Sequence, residues 1–338
     1  MKLKRKTLLT VVATLGLLSL IFLSGCEALG MGSSSGGSGN TQAHQVPAPS
    51  SSEQGATSSE TVATPLVVEL PELLIPTASG SAVEENGQAV VDFSNKQDGY
   101  IMAKYIEETD MKIKMLITVP NGVQYTYSLR PTGEFEVFPL SGNDGVYEIG
   151  IFKQVEGTRY SMVLSTTIDV TLVDEFAPFL RPNQYVDFNQ NSVAVRKAAE
   201  LTVGLSDFMD KVAAIYSFVI TNITYDVELA ANVQSDYLPD IDRILASGKG
   251  ICFDYASLMA AMLRSQGIPT RLVIGYTGDV YHAWISVYCK EDGWLDDIIF
   301  FDGYTWSLVD PTFAANGSSR AVSQYIGDGS NYTEKFLH

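Results

Sequence analysis

The 338-residue chain reads as an α+β protein with two folded parts, on three observations. Between residues 85 and 175, short runs rich in Val, Ile, Tyr, Phe and Thr are separated by turn signals, the pattern of an antiparallel all-β sandwich. From about residue 193 apolar residues recur at helical spacing. After residue 270 strand-like alternation returns, so the helices have a second sheet to pack on. Two domains fit the length, and no internal repeat is evident.

The first 25 residues read as a lipoprotein signal peptide. Lys2, Lys4, Arg5 and Lys6 form a positive start, and the apolar stretch from Thr7 to Leu23 runs into a small-residue processing site. Leu23-Ser24-Gly25-Cys26 resembles a bacterial lipobox. That implies lipid modification of Cys26 and attachment to the extracytoplasmic face of the cell membrane. A transmembrane anchor is the competing reading, since the stretch approaches the lower limit for a span. Residues 26–62 are dominated by Gly, Ser, Thr and Pro and read as a disordered tether. They hold too few apolar side chains to offset the entropy of ordering. The formal net charge is −17; removing residues 1–25, with four basic and no acidic residues, takes it to −21. Such an excess argues against nucleic acid or anionic lipid surfaces as binding partners.

Residues 63–180 form the predicted sandwich. Its strands are "QAVVDFS", "GYIMAKYI", "MKIKMLITV", "VQYTYSLR", "GEFEVFPL", "GVYEIGIFKQ" and "YSMVLSTTIDVTLV", set off by "PNG", "RPTG" and "GNDG". Seven strands over this length suggest an immunoglobulin-like architecture, without the Cys-Trp-Cys signature of true immunoglobulin domains. Its tyrosines alternate along the strands, which favours core and cross-strand packing over an exposed binding face.

Residues 181–338 form the second predicted domain, entered through the Pro-containing connector "FAPFLRPNQYVDFN". Val212, Ile215, Tyr216 and Val219 make one helical stripe. "DIDRILASG" is a short helix with Asp240 as N-cap and Gly248 as its end. "CFDYASLMAAMLRSQGIP" is the next helix, with Ala256, Met259, Ala260 and Leu263 on its core face; Gly267 and Pro269 stop it. Strands are expected near 271–277, 282–289, 297–301 and 306–310.

Cys252 opens the second of these helices directly after the small-residue turn "SGKGIC". A helix start favours an anion and offers free N–H groups, so it stabilises a thiolate and can hold a developing oxyanion. A thiol is only slightly ionised at neutral pH; an imidazole beside it supplies the ion pair, and a carboxylate fixes that ring's orientation. In "HAWISVYC" alternation puts His282, Trp284, Ser286 and Tyr288 on one face and Ala283, Ile285, Val287 and Cys289 on the other. Cys289 therefore points away from His282 and reads as core. Trp284, with Tyr281 and Tyr288, is expected to pack around the imidazole. Asp310, in "LVDPT", completes the order Cys, His, Asp. Asp254 and Tyr255 are expected to line the cleft without taking part in chemistry. His44, His282 and His338 are scattered, and Asp296-Asp297 lacks further ligand spacing, so neither a metal nor another cofactor is called for.

"YLPDIDRILASGKGICFDYASLMAAMLRSQGIPTRLVIGY", "HAWISVY" and "LVDPT" together resemble the transglutaminase-like superfamily of papain-type cysteine enzymes, over roughly residues 205–315. The resemblance implies a papain-like catalytic core with Cys252 as nucleophile, His282 as base and Asp310 as orienting acid. It also implies a side chain upstream that completes the oxyanion hole. Tyr225 in "NITYD" is the candidate, although it can equally be a packing residue. The implied reaction is acyl transfer from a peptide or side-chain amide through a Cys thioester, with a peptide, a protein or a peptidoglycan peptide as substrate. Hydrolysis is favoured slightly over protein cross-linking. A catalytically silent binding lipoprotein is the reading from a different class, since a fold does not establish activity. The calcium dependence of animal relatives is not carried over.

Overall fold

Strict alternation makes the first part of the chain a two-sheet sandwich. In β4 (Ile113–Thr118) Ile113, Met115 and Ile117 are buried, and in β5 (Gln124–Leu129) so are Tyr125, Tyr127 and Leu129. These two strands join β7 (Gly145–Glu156) and β8 (Arg159–Val170) in the antiparallel order β5-β4-β7-β8. The facing sheet runs β1-β2-β3-β6, from β1 (Val83–Glu85), β2 (Ala89–Asp92), β3 (Tyr100–Tyr105) and β6 (Glu136–Pro139). One core serves both sheets, with Val91, Ile101, Tyr105 and Phe138 of one against Met115, Tyr127, Tyr147 and Ile151 of the other. The tyrosines are packing residues, as their alternation predicts; Tyr127 meets Phe138 edge-on at 5.1 Å. Eight strands are present where the sequence predicts seven. The extra one, β1, has three residues, two of them Glu, and is too short and polar at the sheet edge to leave a period.

The computed structural model describes residues 68–290, 293–295, 299–301, 306–308 and 332–338. The sandwich and the helical part after it lie in one compact unit, Thr64–His338. The connector is packed: Ala177, Phe179, Val186 and Phe188 are buried. Gln184 donates its backbone N–H to Val137 at 3.0 Å and its amide to Ser128 at 2.7 Å.

The second part has α1 (Val193–Thr202), α2 (Phe208–Asn222), β9 (Thr224–Tyr225), α3 (Val227–Asn232), α4 (Ile241–Ser247), β10 (Lys249–Gly250) and α5 (Cys252–Ser265). Then come β11 (Thr270–Thr277), β12 (Val280–Cys289), β13 (Gly293–Leu295), β14 (Ile299–Phe301), β15 (Trp306–Leu308) and β16 (Tyr332–Leu337). Helix α5 is the centre. From Tyr255 to Ser265 every side chain is buried, with α1, α2 and α4 around it and β11 and β12 beneath. The predicted stripe of α2 is its buried face, and α4 starts at Asp240, whose carboxylate accepts the Arg243 N–H at 3.0 Å, and ends at Gly248 with φ 63°. Arg264, almost fully buried, donates to the carbonyls of Thr270, Arg181 and His338 at 2.9, 2.8 and 2.5 Å.

The sheet order is β13-β12-β11-β16, all antiparallel. Residues 332–337, for which the sequence predicts no strand, form the strand against β11. This strand also ties the sheet to the sandwich, since Leu337 accepts from Ser141 Oγ at 2.6 Å and His338 Nδ1 meets the Tyr127 hydroxyl at 3.0 Å. No helix among the described residues is long and apolar enough to cross a membrane.

Candidate active site

Local chain preferences bring the predicted nucleophile to a helix start. Cys252 is the first residue of α5, half-buried and not in a disulfide. The turn before it is pinned from both sides. Lys249 and Gly250 pair in parallel with Thr224 and Tyr225, and Gly250 accepts the Asp226 N–H at 2.9 Å. This pairing sets Tyr225 beside Gly250, two residues from Cys252, while its ring packs on the main core. On the other side Asp254 accepts the Ile251 N–H at 2.9 Å. A Cβ on Gly250 would lie 2.6 Å from Asp254 Cβ, so the turn needs glycine for space.

The placement of α5 on the sheet decides what faces the thiol. At the far end of the helix Arg264 bonds to Thr270, which pairs with Val287 of β12. From there back to Cys252 the helix rises about 18 Å, roughly the span of six strand residues, which reaches Tyr276 and its partner Tyr281. Burial pushes the Tyr281 hydroxyl up to about 12, and the neighbouring Tyr276 and Cys252 add to it. Cys252 thus stands abreast of Tyr281, next in sequence to His282.

His282 is buried and pairs across the sheet with Gly275. Alternation falls as predicted: Ala283, Ile285 and Val287 join the α5 core, and Cys289 is buried. Of the three aromatics expected around the imidazole, Trp284 stacks on it, at 6.2 Å with rings 22° apart. Tyr288 instead pairs with Phe176 at 4.1 Å, and Tyr281 with Tyr276 at 5.4 Å, because each sits elsewhere along the pleat. Asp310 and Cys26 lie outside the described residues.

Asp254 and Tyr255 do not line the cleft, a correction to the sequence reading. Both are fully buried. Tyr255 donates to the Ile223 carbonyl at 2.7 Å, and Asp254 accepts the Tyr237 hydroxyl at 2.6 Å with Arg243 at 3.9 Å. Burial pushes the Asp254 carboxyl above the usual range, while Tyr237, the Ile251 N–H and Arg243 oppose that rise. The sequence signal for this role is an acid at the third position of a helix, where a side chain reaches back to the N-cap N–H.

With the geometry in place, a model described as the Transglutaminase-like superfamily matches residues 195–311. This part of the chain is a transglutaminase-like core. Over 118 residues the chain is 33% identical to the YebA protein of Bacillus subtilis (strain 168), covering 29% of this chain and 16% of that protein. Over 107 residues it is 30% identical to the Protein-glutamine gamma-glutamyltransferase of Pseudomonas aeruginosa, covering 27% and 14%. The match therefore spans well under two thirds of these relatives. Among solved structures, a candidate cysteine protease from Cytophaga hutchinsonii is similar with a TM-score of 0.35 and 18% identity, over 71% of this chain and 83% of that one. Members of this superfamily are typically cysteine enzymes.

Proposed function

We propose that the transglutaminase-like core is a cysteine-dependent acyl-transfer enzyme acting on peptide or side-chain amides, with hydrolysis as its larger activity. The observation that carries this reading is the half-buried Cys252 thiol at the first position of α5, near Tyr281, which directly precedes His282 in β12. The Cys252 thiolate attacks the amide carbonyl carbon, and the oxyanion is held by N–H groups at the start of α5, with Tyr225 as second candidate donor. His282 passes its proton to the amine as the C–N bond breaks, leaving a thioester. It then takes a proton from water, whose oxygen attacks the thioester and frees Cys252. Asp310 orients the imidazole.

Cross-linking is the second reading, favoured by the activity for which the Pseudomonas relative is named. It needs a site that gives an amine a high effective concentration against bulk water. The test offers the chain a glutamine-containing protein with a fluorescent amine and, in parallel, a peptide library. Cleavage or ammonia release above amine incorporation supports hydrolysis; robust incorporation without either establishes the cross-linker. Absence of all three, with Cys252 unreactive, leaves the silent binding protein.

We place the enzyme at the cell surface, held by lipid on Cys26 through the tether, where peptides and peptidoglycan peptides are within reach. The sandwich is read as immunoglobulin-like, a spacer or presenting module. Its strand order, with the β3–β4, β5–β6 and β6–β7 connections crossing between the sheets, supports that architecture.

A further inference from the structure

The most heavily built feature near Cys252 that acyl transfer does not use is a buried carboxylate. Asp254 is fully buried two residues after the thiol, and its two oxygens divide their work. Oδ2 takes the Ile251 N–H at 2.9 Å and so fixes the peptide that leads into Cys252. Oδ1 takes the Tyr237 hydroxyl at 2.6 Å, with the Arg243 guanidinium 3.9 Å away; Arg243 also donates to the Tyr237 oxygen. Gly250 leaves the space in which the carboxylate sits. With the Ile251 N–H taken, the N–H groups of Cys252 and Phe253 remain at the open end of the helix for an oxyanion.

A carboxylate in this place carries a cost for a thiol enzyme. A buried negative charge two residues from the nucleophile needs a balancing partner in its own cluster, because the low dielectric screens it poorly. We propose that Asp254 is a positioning residue for Cys252, and that Arg243 with Tyr237 balances its charge so that the brace does not oppose the thiolate. This rests on Cys252 being the nucleophile. The groups that face the cluster are Asp226 just after β9, Tyr237, Arg243 of α4, Tyr185 of the connector, and Tyr281 of β12. Of these only Arg243 is a fixed cation. The same three side chains link the 237–243 segment to the nucleophile turn.

The test uses the full chain, with iodoacetamide alkylation of Cys252 followed by peptide mass spectrometry from pH 5 to 10, and acylation by p-nitrophenyl acetate. Asp254→Asn should move the midpoint of the alkylation profile down by about half to one pH unit, Arg243→Gln should move it up by a similar amount, and the double variant should return near the parent. Asp254→Ala, which cannot accept the Ile251 N–H, should lose about tenfold or more in acylation rate, and Asp254→Asn, whose amide oxygen still accepts, should recover most of it. A thermal melt confirms that each variant is folded. A merely structural Asp254 lowers the melting temperature while leaving the profile of the folded protein in place. Unmoved profiles, or shifts of the same sign in Asp254→Asn and Arg243→Gln, overturn the proposal while leaving the nucleophile intact. A parent whose Cys252 accepts no acyl group overturns the functional reading itself.

Discussion

Gly275 is the position where one added methyl group tests the link between the sheet and the site. It pairs with His282 across β11 and β12, and the β11–β16 register shifts between Ile274 and Gly275. A Cβ built there overlaps the Thr333 carbonyl oxygen and lies 2.8 Å from Cη2 of Trp284, the ring stacked on His282. The first obstacle is backbone, so it cannot rotate away. Relief requires β16 to move off β11 or Trp284 to leave its rotamer. Overpacking of this kind costs about 1–3 kcal/mol, and one or two ladder hydrogen bonds lost add about 1 kcal/mol each. Gly275→Ala should therefore destabilise by about 3 kcal/mol, a drop of roughly 6–10 °C in Tm for a folded unit of this size. Calorimetry reads the Tm, and iodoacetamide labelling of Cys252 reads the site. Gly87→Ala is the control, because a Cβ there meets nothing within 4 Å, and it should leave both unchanged. A Gly275→Ala protein that melts within a degree of the parent would refute the close approach of β16 and the argument built on it.

Cys252→Ala should fold normally and lose activity and labelling, whereas His282→Ala should slow labelling at neutral pH. Asp310→Asn should cost less than His282→Ala, and parental labelling in both His282→Ala and Asp310→Asn would show Cys252 to be merely exposed. Arg264→Met removes a donor from the buried Thr270 carbonyl, from the part-buried Arg181 carbonyl and from His338, which keeps the Leu272 N–H, and should cost about 3 kcal/mol in urea unfolding. Burial, with Arg264 nearby, pushes the His338 imidazole down to about 3, so folding favours the neutral ring. The stability tied to that ring is complete above the unfolded value near 6.5 and is lost as pH falls toward 3, so His338→Gln should flatten the decline in unfolding midpoint between about pH 6.5 and 4. Cys26→Ser should accumulate a precursor with its signal segment attached; a normally processed, detergent-free protein would refute the anchor.

Elements whose signals are local could be read along the chain. Helix α5 was legible from its apolar stripe and its Gly267-Pro269 stop, α4 from Asp240 and Gly248, and the sandwich strands from their alternation. The transglutaminase-like core was legible from the segments around Cys252, His282 and Asp310 taken together. Features that depend on distant pairing came from the fold. Strand β16 has no strong period and exists because β11 offers it an edge, while β1 is held by β2 and by little in its own three residues. In the sequence Asp254 reads as a cleft-lining acid beside a nucleophile. It is buried because Tyr237 and Arg243, brought in from the segment before α4 and from α4 itself, supply the donors that make its burial tolerable. A carboxylate's cost of leaving water is set by its neighbours in space, and those neighbours are chosen by the fold.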